Sequence, residues 1–193
     1  MAMANIRIGI TGGIGSGKTY VCQRLKERGI SIYDCDSAAK KLIRTSPRIR
    51  QQLTALVGPH AYMGEQLNKE AIATFLLQSD ANQKAINDIV HPAVADDFIA
   101  SGMQWMECAI LFESGFNRLV DIVIAVRAPE EVRIQRVCSR DSISPQKAKE
   151  WMQRQWNQDK VTAAAQYVID NDGIANLDTQ IDTILKAIAK QDT

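Results

Sequence analysis

Gly12-Gly13-Ile14-Gly15-Ser16-Gly17-Lys18-Thr19 is the stretch on which the reading of this chain turns. It fits G-x-x-x-x-G-K-[ST], a glycine-rich loop whose backbone closes around phosphate oxygens. Glycine adopts positive φ at little cost, so successive N–H groups can turn inward there. In such a loop Lys18 would reach the β- and γ-phosphates of a nucleoside triphosphate, and the Thr19 hydroxyl would ligate Mg2+. At average residue frequencies a chain of this length matches by chance roughly once in a hundred cases. The flanks lower that figure. Ile6-Arg7-Ile8-Gly9-Ile10 reads as a short strand and Tyr20 to Arg28 as a helix ending at Gly29, whose positive N-terminal end would face the phosphates.

Working outward, the 193 residues are enough for a real core, expected as a single domain over 1–193. Hydrophobic content of 46% and charged content of 23% are those of an ordinary globular protein. A formal charge of +1, with both signs interleaved, argues against a broad nucleic-acid-binding surface. No apolar run approaches a membrane span, and Met1 to Asn5 lacks signal-peptide anatomy, so a cytoplasmic location is expected. Cys22, Cys35, Cys108 and Cys138 show no C-x-x-C spacing and are expected to be free thiols.

Ile30-Ser31-Ile32-Tyr33 reads as a second strand running into Asp34-Cys35-Asp36. Strand–helix–strand around a phosphate loop implies a parallel, right-handed crossover, with ligands outside the carboxyl ends of the strands. One of the two aspartates is expected to cap the next helix and the other to carry chemistry. From 37 to 99 strand patterning is absent, and four helices are expected: Ser37–Arg44, Pro47–Val57, Lys69–Leu77 and Asn82–Ile99. Gly58-Pro59, Gly64 and His91-Pro92 punctuate them. This is too long for a crossover helix, so a helical insertion over about 37–102 is expected to hold an acceptor substrate. Lys40, Lys41 and Arg44 are either a solvated face or an anion contact.

Trp105 to Phe112 reads as a third, mostly apolar strand, ending at Glu113, and Asp121 to Val126 as a fourth. Pro129 opens a helix. From Arg133 to Arg154 the chain is basic, and Ser144-Pro145 starts a second helix inside that stretch. The segment about 136–157 is either an arginine-bearing lid or an ordinary helical hairpin. Gln166 to Asp170 is a fifth strand, and Asn176 to Ala189 an amphipathic closing helix. The expected core is therefore about 1–36, 103–135 and 160–193. The fold class is three-layer α/β, a phosphate-loop NTPase fold with a five-stranded parallel sheet, arranged like a nucleoside-monophosphate kinase. A G-protein reading is weaker, since neither N-K-x-D nor a well-placed D-x-x-G is present.

These segments together resemble the dephospho-coenzyme A kinase family. The resemblance runs through Ile8 to Thr19, the D-x-D of Asp34-Cys35-Asp36, Leu67-Asn68-Lys69 and His91-Pro92. It continues in Leu111-Phe112-Glu113, the lid pair Arg140-Asp141 followed by Gln155, and Val168-Ile169-Asp170-Asn171. Thr19-Tyr20, Ala109 and Trp151 depart from the residues common there, and Arg154 lies near the last. The resemblance implies transfer of the ATP γ-phosphoryl to the ribose 3′-hydroxyl of dephospho-coenzyme A, with Mg2+ as cofactor. By similarity Asp36 is the base, with Lys18 and Arg140 stabilising phosphoryl charge. ATP would lie on Gly13, Ile14, Gly15, Ser16, Gly17, Lys18, Thr19, Tyr20 and Arg140. The acceptor would meet Thr11, Asp34, Asp36, His91 and Glu113. No nucleic-acid or membrane partner is implied, and a monomer or small homo-oligomer is expected. Two alternatives stay open: a phosphate-loop kinase for another metabolite, and a nucleotide-binding regulatory module without turnover.

Overall fold

All four residues of Ile8–Thr11 (β1) are buried, as in a central strand covered on both faces. The computed structural model describes residues 6–191. The reading of Met1 to Asn5 and the outer ends of the expected 1–193 domain lie outside the described residues. After the phosphate loop come α1 (Lys18–Glu27), β2 (Ile32–Asp34) and α2 (Cys35–Thr45). Next are α3 (Pro47–Val57) and a two-stranded antiparallel hairpin, β3 (Tyr62–Met63) with β4 (Gln66–Leu67). Helices α4 (Lys69–Gln78) and α5 (Asp80–Ser101) lead to β5 (Trp105–Glu107) and β6 (Ile122–Arg127). The chain closes with α6 (Glu130–Asp141), α7 (Pro145–Gln153), α8 (Gln158–Ala163), β7 (Tyr167–Asp170) and α9 (Leu177–Gln191).

Five parallel strands form one sheet in the order β2-β5-β1-β6-β7. β1 is flanked by β5 and β6, with Ile10 opposite both Glu107 and Ile124. The chain divides into two compact units. The first runs to Tyr33 and resumes at Met103; the second is Asp34–Gly102. In the first unit Ile8, Ile10, Val21, Leu25, Trp105, Ile124, Ile169 and Ile181 pack into one core drawn from the sheet, α1 and α9. Arg28 ties the same two helices at the surface, donating to Asp178 and Asp182 at 2.9 Å each. In the second unit Ile49, Leu53, Ala61 and Tyr62 form a smaller core.

Capping residues set the helix starts. Side chains of Asp34, Ser46, Asn68, Ser79 and Ser144 accept from backbone N–H groups in the first turns of α2, α3, α4, α5 and α7. The expected strand Trp105–Phe112 stops at Glu107, because Ile110 to Ser114 turn instead, Ser114 N–H donating to the Ile110 carbonyl at 2.9 Å. The stretch 37–99, read as strandless, holds the β3–β4 hairpin. α5 runs unbroken for 22 residues through Pro92, as the expected helix Asn82–Ile99 did, so His91-Pro92 does not interrupt it. Its buried residues Val90, Val94 and Phe98 recur every four positions, so packing along one face holds the helix despite the missing N–H. α8 was not anticipated. Cys22, Cys35, Cys108 and Cys138 form no disulfide among the described residues. Among the described residues no helix is long and apolar enough to cross a membrane.

Candidate active site

The loop between β1 and α1 is built from backbone that only glycine tolerates. Gly17, at φ 89°, caps α1, and a Cβ there would strike the Asn171 amide. At Gly12, φ 148°, a Cβ would strike the Val126 carbonyl. The loop is thus pressed against β6 and the end of β7. Asn171 Nδ2 donates to the Ser16 carbonyl at 2.9 Å. Ile14 is held at both ends: its N–H donates to Gln155 Oε1 at 2.7 Å, and its carbonyl accepts from Arg133 Nε at 2.9 Å. Arg136 reaches the Gly15 and Ser16 carbonyls at 3.4 Å each.

Lys18 is 9% exposed; its Nζ donates to the Gly12 carbonyl at 2.7 Å and lies 4.0 Å from Glu107 Oε1. Thr11, 1% exposed, ends β1 where the loop begins. Thr19 and Tyr20 are exposed in the first turn of α1, and Arg24 donates to the Tyr20 hydroxyl at 2.7 Å. Ser16 is fully buried, and among the described residues its Oγ has no hydrogen-bond partner. An orphan hydroxyl inside a phosphate loop is a place where an anionic ligand gains a contact.

Glu107 escaped the sequence reading. It ends an apolar strand beside β1, level with Ile10 and next to the lysine. In the sequence it lies inside the apolar stretch Trp105–Phe112, and no local pattern marks it. Arg133 was counted only as part of a basic stretch, yet it is 7% exposed and lies under the loop. Burial pushes its guanidinium below the ordinary arginine value, with nearby Glu130 opposing the shift.

Of the other expected groups, Glu113 is exposed and its Oε1 accepts from the Trp156 N–H at 2.8 Å. Arg140 does not touch the loop. It pairs with Asp141 through Nε at 3.0 Å and Nη2 at 2.7 Å, which raises the arginine and lowers the carboxyl from their ordinary values. Asp34, Asp36 and His91 belong to the second unit. Asp34 is the helix cap, accepting from Ser37 N–H at 3.0 Å and Ser37 Oγ at 2.8 Å. Asp36 stands exposed in the first turn of α2. His91 is half-buried in α5, and burial pulls its imidazole below the ordinary value, Asp88 opposing. Lys40, Lys41 and Arg44 are exposed.

A parallel sheet in this order, with a lysine-bearing phosphate loop after its central strand and a helical hairpin after its fourth, defines a phosphate-loop kinase fold. The family profile described as dephospho-CoA kinase matches residues 6–176. A dephospho-CoA kinase from Bacteroides fragilis is 39% identical over 187 residues, covering 91% of this chain and 89% of its own. One from Porphyromonas gingivalis is 41% identical over 165 residues, covering 82% of each. The crystal structure of TT1252 from Thermus thermophilus superposes with a TM-score of 0.80 at 27% identity, covering 97% of this chain and 98% of that one. The chain belongs to the dephospho-CoA kinase family.

Proposed function

We propose that this chain moves the γ-phosphoryl of ATP to the ribose 3′-hydroxyl of dephospho-coenzyme A, releasing ADP and coenzyme A. The observation that carries this reading is the loop itself. Its glycine-dependent backbone, buried Lys18 and unpartnered Ser16 hydroxyl form a cradle for a polyphosphate. Lys18, already between a loop carbonyl and Glu107, neutralises charge on the phosphoryl oxygens. Arg140 joins it by exchanging Asp141 for phosphate, which its exposed position allows. With Asp34 committed to capping α2, Asp36 is the carboxylate that orients the sugar hydroxyl and takes its proton. By the family resemblance, Thr11, His91 and Glu113 are further contacts of the acceptor.

The donor set fits Mg2+, which keeps several waters and takes few protein ligands beside substrate phosphates. The Thr19 hydroxyl would hold it directly and Glu107 through water. Bound there, the ion would neutralise the β- and γ-phosphate oxygens.

An acceptor panel tests the assignment. Phosphorylation of dephospho-coenzyme A, with nucleoside monophosphates inert, is the expected result. Turnover of a monophosphate without turnover of dephospho-coenzyme A would move the chain to another kinase activity. ATP binding with no acceptor-dependent ADP release would make it a regulatory module.

A further inference from the structure

Gln155 and Trp156, just beyond α7, reach in two directions from one turn. Gln155 Oε1 accepts from the Ile14 N–H of the phosphate loop, and the next backbone N–H, that of Trp156, donates to Glu113. The Trp156 ring also lies flat on Phe112, with centroids 5.4 Å apart and planes 3° from parallel. Lys160 Nζ covers the Trp156 ring at 3.3 Å from its centroid. A cavity of about 560 Å³, lined in part by Arg133, Lys149, Met152, Gln155, Trp156 and Asn157, opens beside this contact. The turn is therefore gripped through two hydrogen bonds and the contacts of the Trp156 ring, and leaves open space alongside.

We propose that Gln155 is a positioning residue that couples nucleotide occupancy of the phosphate loop to the Phe112-Glu113 turn. The Gln155 side chain springs from the Cα that bounds the peptide plane carrying the Trp156 N–H, so a displacement of this turn is felt at both contacts. Triphosphate binding recruits loop N–H groups and re-aims the Ile14 peptide. Gln155 follows its acceptor contact, and the Trp156 N–H and ring carry the shift to the Glu113 carboxylate and the Phe112 face. Nucleotide binding then sets the acceptor-side turn before the acceptor arrives. This rests on the reading of Glu113 as an acceptor-side residue. A purely structural brace would leave ATP and acceptor binding independent.

The test is the dissociation constant of dephospho-coenzyme A, by calorimetry, with and without a saturating non-hydrolysable ATP analogue and Mg2+. The wild type is expected to bind the acceptor roughly 5- to 100-fold tighter with the analogue present, the usual span of site–site coupling. In Gln155→Ala that ratio should fall to about one, and the acceptor KM should rise by a similar factor. Gln155→Glu, which keeps an acceptor oxygen at the same reach, should recover the ratio while raising the ATP KM through its charge. Gln155→Asn, one methylene short, should not recover it, so the pair decides the matter even if the alanine variant fails to fold. An unchanged ratio in Gln155→Ala, a wild-type ratio of one, or equal ratios in the Glu and Asn variants would overturn the proposal. A wild type that neither binds nor phosphorylates dephospho-coenzyme A would overturn the acceptor assignment, and the coupling with it. Wild-type turnover with an indifferent Gln155 overturns the coupling alone.

Discussion

The Lys18 ammonium is nearly buried, and its neighbours, the Gly12 carbonyl and Glu107, hold it at the mouth of the loop. In the proposed reaction, removing it takes away a fixed charge at the transferring group, which costs more than a surface charge would. Lys18→Met is expected to lower kcat by about 10²- to 10³-fold, read from coupled ADP release. A kcat within about threefold of wild type would remove the lysine from charge stabilisation. His91 supports a different prediction. Its imidazole is held below the ordinary histidine value of about 6.5 by burial, so it binds fewer protons folded than unfolded. Its contribution to stability is full above that ordinary value and is lost as pH falls through the lower, folded one. The urea midpoint should therefore drop below about pH 6.5, more steeply in the wild type than in His91→Gln. Identical pH profiles would show that His91 does not titrate between the two states.

Helices α6 and α7 meet at Ser142, which sits at φ 53°, and Ser144 restarts the chain as a capped helix. Their arginines divide between two jobs: Arg133 and Arg136 hold the loop, while Arg140 faces solvent beside Asp141. If this hairpin closes over nucleotide, backbone amides from 142 to 154 should exchange more slowly with a non-hydrolysable ATP analogue bound. Unchanged exchange there would make it a fixed brace. At this scale the sequence was readable where a cap or a sustained period marks the element. Pro47–Val57 follows Ser46, and Pro145 follows Ser144, as their capping chemistry requires. It misled where an apolar run has no period. Ile110-Leu111-Phe112 is apolar because Leu111 is buried in a turn, and such a run looks the same as the end of a strand. The β3–β4 hairpin was missed because two-residue strands carry no alternation, and Gly64 alone, at φ 59°, marked its turn.

For the whole molecule, the order of separated segments carried more than any one of them. The phosphate loop, the D-x-D at the end of β2 and the Arg140-Asp141 pair are each short, but in sequence they specify a kinase family that the comparisons then showed. Glu107 and Arg133 were not legible as residues beside the loop, and Gln155 was legible only as a motif residue without a role, for a physical reason. Each acts through a neighbour distant in the chain: Glu107 beside Lys18, and Arg133 and Gln155 on Ile14. Local pattern does not encode such pairings; strand order and helix packing do. The central claim is that a loop gripping triphosphate works with a carboxylate that readies a sugar alcohol. It is tested most directly by coupled ADP release with ATP, Mg2+ and dephospho-coenzyme A, comparing wild type with Asp36→Asn. The account predicts acceptor-dependent release by the wild type, and a kcat about two to four orders of magnitude lower in the variant with ATP affinity little changed. Release that ignores the acceptor, or a variant turning over at the wild-type rate, would contradict it.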